Sequence, residues 1–246
     1  MTPLELYRAG ELGQAIKALG EELRSNPLDT RRRTFLFELL CFAGEYDRAE
    51  KQLNVLADSN AQAAAGTLLY RSALHAERTR QAMFLNHDLP RAEAGSGPVA
   101  GVGDGQAFAD LRDADPRVGA NIEVFIAGSY TWIPTSYMRG LEIAKPETLR
   151  DLIWARARIE ASPAFRLQDL GEVLIPVLAP LSWRHPDDAV RLGRTSVWEA
   201  AGEGDTVDEV LYGQRLMLVE GEEVPLLELR SIRWDAPVEE SRHAPA

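Results

Sequence analysis

The first third of the chain places apolar residues at the spacing of amphipathic helices. Ile16, Leu19 and Leu23 recur three or four positions apart, which brings them onto one helical face. Pro27 then stops that helix, and Asp29 supplies a polar start for the next one. Continued along the chain, the pattern predicts helices near residues 2–9, 11–24, 30–43, 45–58 and 61–85.

One short segment of these helices occurs twice. Its shared residues are Ala9, Gly10, Glu11, Ala15 and Leu19, which recur as Ala43, Gly44, Glu45, Ala49 and Leu53. The offset of 34 residues between Gly10 and Gly44 is the period of the tetratricopeptide repeat, a helical hairpin that stacks on its neighbours. Each glycine falls where the chain must turn between helices. The next position of the period holds Arg78, so we predict a tetratricopeptide-like array that degenerates there.

The rest of the chain has the alternating pattern of half-buried strands. Ile122, Val124 and Ile126 alternate with other residues, and Gly128-Ser129 offers a two-residue hairpin turn. Further strands are predicted at residues 138–143, 152–159, 173–178, 190–198, 216–219 and 225–234, with one helix near 107–114. The fold class is therefore α+β, an all-helical repeat domain followed by a mostly antiparallel β-rich domain of barrel or sandwich type.

Changes in composition suggest where the domains begin and end. Helical periodicity stops near residue 85, and five glycines follow between Gly95 and Gly105. Such a stretch is typical of a linker or flexible loop. We predict a helical domain at residues 1–85, a Gly-rich linker at 86–107, a β-rich domain at 108–235 and a polar tail at 236–246.

The charge balance limits the classes of partner. Lys and Arg total 27 against 38 Asp and Glu, which gives a net charge of −11. A surface of this sign repels the phosphates of nucleic acids and anionic membranes, so neither is an expected partner. No leader sequence opens the chain, and no apolar run approaches about 18 residues, so we expect a cytoplasmic protein without a membrane span.

Residue types that carry catalysis or bind metals are few. The four histidines have no partner at metal-ligand spacing, and the single cysteine, Cys41, is expected to be a small buried hydrophobe. We therefore predict no metal and no cofactor. An enzyme would need the carboxylates of the β-rich half, although their flanking residues favour turns and helix ends. These carboxylates are Asp110, Asp113, Asp115, Asp187 and Asp188.

Several blocks of the second half resemble one family in sequence and in order. They lie at residues 108–119, 128–134, 149–157, 171–176, 188–195, 213–216 and 222–228. The first block includes Phe108-Ala109-Asp110-Leu111-Arg112-Asp113, and the second is Gly128-Ser129-Tyr130-Thr131-Trp132-Ile133-Pro134. These blocks are similar to those of the ImpE (SciE, TagJ) proteins, and the resemblance covers most of the chain.

The resemblance implies a function in protein binding. ImpE proteins are accessory proteins of the bacterial type VI secretion system, a virulence machine, and they pair an N-terminal repeat domain with a C-terminal domain. The resemblance therefore implies a cytoplasmic, non-catalytic binder of the small contractile-sheath subunit, TssB or VipA. The contact would use the N-terminal helical segment of that subunit and would assist sheath assembly or recycling by the ClpV unfoldase.

A tetratricopeptide frame also predicts which surface would bind such a partner. The first helices of successive units line a concave groove, which suits a helix or an extended peptide. The predicted groove residues are Leu4, Tyr7, Arg31, Thr34, Glu38, Cys41, Leu68, Ser72 and His75. Tyr7 and Leu68 would serve as apolar anchors, with Arg31 and Glu38 selecting charge.

Other interpretations of the sequence stay open. Exposed edge strands of the β-rich domain are a rival docking site, because main-chain pairing needs no side-chain signature. A general tetratricopeptide adaptor with a client unrelated to secretion is one alternative function. A hydrolytic enzyme with its site in the β-rich domain is another.

Overall fold

A computed structural model describes residues 1–58, 61–90, 99–163, 165, 170–201 and 208–235. Five helices occupy the N-terminal part, and each agrees with a predicted helix to within one residue at either end. They are α1 (Pro3–Arg8), α2 (Leu12–Ser25), α3 (Thr30–Phe42), α4 (Tyr46–Ala57) and α5 (Ala61–Asn86). We call these five helices the helical layer.

Local signals set the ends of these helices. The Thr2 side chain accepts a hydrogen bond from Glu5 N while Glu5 Oε2 accepts one from Thr2 N, a reciprocal cap on α1. The turns after α1 and α3 place Gly10 at φ +87° and Gly44 at φ +69°. These are left-handed conformations that glycine adopts without strain. The two predicted turns are therefore present, while the tetratricopeptide class of the array stays a prediction.

Strands dominate the remainder of the chain. They are β1 (Gly101–Gly103), β2 (Gln106–Phe108), β3 (Leu111–Asp113), β4 (Asn121–Ile126), β5 (Ser129–Pro134), β6 (Met138–Ile143), β7 (Trp154–Ala161), β8 (Glu172–Pro176), β9 (Val197–Ala201), β10 (Asp208–Tyr212), β11 (Leu216–Val219), β12 (Glu222–Pro225) and β13 (Ser231–Trp234). A short helix, α6 (Asp188–Arg191), lies between β8 and β9. Single 3-10 turns lie at Thr135–Tyr137, Leu149–Leu152, Ser182–Arg184 and Leu226–Glu228.

The strands form antiparallel sheets, so the α+β prediction is confirmed. The large sheet has eight strands in the order β2-β1-β13-β6-β7-β8-β4-β5. A three-stranded sheet, β12-β11-β3, and a hairpin, β10-β9, complete the described strands. The barrel prediction is wrong, because β2 and β5 lie at opposite edges of the large sheet and do not pair with each other.

Several local predictions are wrong, among them the strand at 225–234, which holds the end of β12, a 3-10 turn and β13. Residues 101–107, assigned to the linker, belong to the β1–β2 hairpin, which turns at Asp104-Gly105 and pairs with β13. The helix near 107–114 is absent because β2 and β3 lie there. The strand at 190–198 is replaced by α6 and the start of β9. Residues 91–98 of the predicted linker and the tail at 236–246 lie outside the described residues.

The large sheet separates two apolar cores. Ile122 and Val124 of β4 face a core between the large sheet and the three-stranded sheet. Phe125 faces the opposite core, which it shares with the helical layer. In that second core the ring of Trp154 on β7 lies 6.5 Å from Phe37 of α3 and 6.4 Å from Tyr70 of α5. The inner face of the helical layer is therefore covered by the chain's own sheet.

Candidate functional site

An ion network lies between the helical layer and the large sheet. The Arg80 guanidinium of α5 donates two parallel hydrogen bonds to the Glu123 carboxylate of β4, with Nε–Oε1 at 2.7 Å and Nη2–Oε2 at 3.0 Å. Both side chains are buried. Burial by itself would raise the pKa of Glu123, but the charges of Arg80 and Arg215 outweigh it and lower the pKa to about 2. Glu123 is therefore ionised at neutral pH and holds α5 on the sheet.

Neighbouring groups extend this network to further elements. Arg215 Nε lies 3.3 Å from Glu123 Oε2, and the same guanidinium pairs with Asp113 of β3. On the helical side, Glu77 accepts a hydrogen bond from Trp154 Nε1 at 2.8 Å. Each of these charged groups has a partner inside the fold, so the network links the helical layer, the large sheet and the three-stranded sheet.

The carboxylates considered for an enzyme have structural partners. Asp113 pairs with Arg215, Asp115 with Arg117, Asp110 with Arg112 and Asp188 with Arg191, and Asp187 caps α6 by accepting a hydrogen bond from Ala189 N. Burial raises the pKa of Asp113 to about 6, with Arg215 opposing the shift. Among the described residues no group of three or more His, Cys, Asp or Glu is placed to hold a metal ion.

The structure separates the nine predicted groove residues into different environments. Arg31, Leu68 and His75 are exposed, Leu4 is 45% exposed, and Tyr7, Thr34 and Ser72 are half-buried. Glu38 and Cys41 are buried, although Glu38 still lines an open cavity. The burial has a local cause: Arg150 of the 3-10 turn Leu149–Leu152 lies beside Glu38, and Ile153, Leu178 and Trp183 lie around Cys41. Ser72 lies against the β4–β5 turn, since a Cβ added to Gly128 would stand 3.3 Å from Ser72 Cβ.

Part of the predicted groove stays open where α1 and α3 meet the chain between β6 and β7. A cavity of about 460 Å³ is lined by Leu4, Tyr7, Phe35, Glu38, Pro146, Glu147, Thr148, Leu149 and Leu152. A second cavity of about 390 Å³ is lined by Thr2, Pro3, Leu4, Leu19, Glu22, Asp29, Arg31, Arg32 and Phe35. Leu4 and Phe35 line both cavities, and we call the two together the α1–α3 groove. Its lining residues include four predicted ones, Leu4, Tyr7, Arg31 and Glu38.

Several lining residues of this groove are not among the residues predicted from the sequence. Phe35 was a detectable candidate, because it lies on α3 one position beyond Thr34 and is only half-buried. Leu149 and Leu152 come from a 3-10 turn more than a hundred positions away along the chain. No local pattern connects that turn with α1, so only the fold brings the two together.

Glu38 gives the floor of the groove an unusual carboxylate. Arg150 Nε lies 3.2 Å from Glu38 Oε1, yet this buried N–H makes no hydrogen bond. The Arg150 guanidinium instead stacks over Tyr70, 4.7 Å from the ring centre. Burial raises the pKa of Glu38 to about 7, and the charge of Arg150 offsets only part of that rise.

Comparison with known proteins assigns the chain to a family. The ImpE protein family matches residues 105–233, which is more than half of the chain. The chain is also 32% identical over 264 aligned positions to the type VI secretion system accessory component TagJ of Pseudomonas aeruginosa. That alignment covers 94% of this chain and 90% of the relative. The chain belongs to the ImpE family.

A comparison of folds finds a solved structure that resembles this chain along most of its length. The crystal structure of protein VPA1032 from Vibrio parahaemolyticus superposes with a TM-score of 0.81 over 95% of this chain and 97% of that one. The two sequences are 21% identical, so this likeness concerns the fold alone. Within the described part of this ImpE protein, no helix has the length and apolar character needed to cross a membrane.

We expect the ImpE variant Glu38→Gln to change the pH dependence of stability. The folded pKa of about 7 lies above the ordinary value of 4.5, so Glu38 costs stability increasingly as the pH rises from 4.5 to 7. Removing the charge should raise the free energy of unfolding by roughly 1–3 kcal/mol at pH 8 and leave it nearly unchanged at pH 4.

Urea denaturation of both proteins at the two pH values measures this difference. Asp113 also has a raised pKa and so adds its own pH dependence to stability. This effect is the same in both proteins and cancels when they are compared. A difference that is equal at pH 4 and pH 8 would show that Glu38 titrates normally in the folded protein.

Proposed function

We propose that this ImpE protein is a non-enzymatic adaptor of a type VI secretion system that acts in the cytoplasm. Its partner would be the N-terminal helical segment of the small contractile-sheath subunit, TssB or VipA. Binding would assist sheath assembly or the recycling of sheath subunits by ClpV. The observation that carries the proposal is the 32% sequence identity to TagJ, a type VI secretion accessory component, in an alignment that covers 94% of the chain.

The α1–α3 groove supports a role in peptide or helix binding. Apolar side chains dominate the first cavity, and Leu4 remains substantially exposed there. A partner helix could bury Leu4 and Phe35 as anchors, with charged residues at the rim selecting its orientation. The five Asp residues considered for an enzyme are engaged in ion pairs and a helix cap, which favours an adaptor over a hydrolase.

Purified subunits provide a direct test of the proposal. The small and the large sheath subunits of the same bacterium would be titrated separately with this chain in a calorimeter. We expect saturable binding of the small subunit and of a synthetic peptide of its N-terminal segment. Absence of binding to the small subunit, with that subunit shown to be folded, would overturn the proposal.

The charge reversal Arg31→Glu should weaken this binding by about tenfold without loss of stability. Arg31 is exposed and has no ion pair among the described residues, so its replacement breaks no ion pair there. Reversing a rim charge acts mainly on association with a complementary partner. Lys51→Glu on the outer helix α4 makes the same charge change away from the groove and serves as the control. If the two variants bind the partner equally well, Arg31 is not part of the binding site, and the β-rich part becomes the candidate.

A further inference from the structure

We propose that the α1–α3 groove recognises a partner segment by a charge pattern. The segment would present a lysine or arginine to Glu38, apolar side chains to Leu4 and Phe35, and an acidic residue to Arg31. This inference rests on the proposed function, since it specifies how the partner segment is held.

Glu38 would bind the basic residue of the partner segment. The residue is 7% exposed, it lines the first cavity, and among the described residues no group donates a hydrogen bond to its carboxylate. An ionised carboxylate in such surroundings gains most from a donor that brings its own positive charge. Arg150 meets this need only in part: its Nε lies 3.2 Å from Glu38 Oε1 but makes no hydrogen bond, and its guanidinium lies over the Tyr70 ring.

Arg31, at the other end of the groove, would bind the acidic residue of the partner segment. Its neighbour Arg32 is satisfied by Glu22, at 2.6 Å, and by Asp29. Arg31 has no such partner within the described chain, and it lines the second cavity with an exposed guanidinium. A carboxylate on the partner segment is the natural counter-charge for this position.

The apolar centre of the groove is held in a fixed position. Leu4 lies on α1, whose first turn is capped by Thr2 and whose last carbonyls, on Tyr7 and Arg8, accept hydrogen bonds from Arg194. The Arg194 guanidinium also lies 4.8 Å from the Tyr7 ring centre. Because α1 is fastened at both ends, Leu4 is presented as a rigid anchor, which lowers the entropic cost of binding.

An occupant without a basic residue would be penalised at Glu38. Covering the carboxylate with apolar atoms removes its remaining water, so the group must take up a proton or stay charged without compensation. A basic occupant has the opposite effect, because it favours the ionised form. The pH dependence of binding therefore distinguishes the two kinds of occupant by its sign.

The test measures the affinity of the small sheath subunit and its N-terminal peptide between pH 6 and pH 8. With the pKa of Glu38 near 7, ionisation is about a tenth complete at pH 6 and nearly complete at pH 8. A basic occupant predicts an affinity that rises by up to about tenfold over this range.

In Glu38→Gln the affinity should be weaker and this rise should disappear. The other groups acting on Glu38 or influenced by it are Arg150, Asp151, Tyr70 and Cys41, all unchanged in this variant.

A second variant tests the apolar centre without relying on titration. Leu4→Asp should lower the affinity at least tenfold, because it places a charge where an apolar side chain is to be buried. Leu85→Asp makes the same change at a residue of similar exposure, 50% against 45%, at the far end of α5. Its affinity should equal that of the unchanged protein.

The outcomes separate this inference from the proposed function. If the unchanged protein binds and both Leu4→Asp and Glu38→Gln bind equally well, the proposed function stands and the groove is not the site. If affinity falls as the pH rises, and only in the protein that retains Glu38, the occupant is apolar at that position and the charge pattern is wrong. If the unchanged protein binds neither the subunit nor its peptide, both proposals fail.

Discussion

Replacing Glu123 by alanine should lower the free energy of unfolding by about 3–5 kcal/mol, the range found when one member of a buried ion pair is removed. The substitution leaves Arg80 and Arg215 buried without their shared carboxylate. Because folded proteins are typically stable by only about 5–15 kcal/mol, such a loss would consume a large part of the total. Chemical denaturation followed by far-UV circular dichroism measures it.

An exposed ion pair supplies the control for this experiment. Glu160 pairs with Arg233 on the surface of the large sheet, where both side chains are more than half exposed. Glu160→Ala should cost less than about 1 kcal/mol, since exposed pairs contribute little. If both substitutions cost the same, the buried network is not what fastens the helical layer to the sheet.

The second large effect is expected for Gly44→Val, at roughly 2–4 kcal/mol of lost stability. Gly44 has φ +69°, a conformation in which a β-branched residue is strained. A Cβ at this position would also stand 2.5 Å from ring atoms of Trp183, so the indole would have to move. Thermal unfolding should show a clear decrease in Tm.

Gly13→Val is the matched control for this change. Gly13 lies within α2, has no atom near its added Cβ and has no left-handed φ. Valine and glycine differ little in helix propensity, so the Tm should change by no more than a few degrees. A Gly44→Val variant as stable as this control would mean that the turn after α3 tolerates another conformation.

The helices were predictable because their signals are local. Thr2 and Asp29 cap helices through atoms three residues away, and the glycines at the two turns mark the helix ends. The turn of the β11–β12 hairpin is also local, since Glu220 and Gly221 both adopt the left-handed conformation that it needs. Such features depend only on residues that are close together along the chain.

The errors concern structure that depends on distant partners. Gly101 and its neighbours form a strand because β13, more than a hundred positions later, pairs with them. The acidic segment around Asp113 is extended because β11 pairs with β3. Neither pairing leaves a trace in the local pattern, where glycines and acidic residues favour loops.

The candidate site was predicted only in part for a related reason. Leu4 and Tyr7 follow from helical periodicity, which places them on the inner face of α1. Glu38 and Cys41 of α3 are buried by segments outside the helices, Glu38 beside Arg150 at the floor of the groove and Cys41 beside Ile153 and Trp183. The sequence alone does not show which part of a concave helical surface the rest of the chain will fill.

The cover over the helical layer is rich in indole rings. Of the five tryptophans in the chain, Trp132 lies against Phe84 of α5, Trp154 against Phe37 and Tyr70, and Trp183 against the Gly44 turn. The intrinsic fluorescence of the protein is therefore weighted towards this junction. A red shift in emission that precedes the loss of far-UV dichroism would record the helices leaving the sheet while each still keeps its secondary structure.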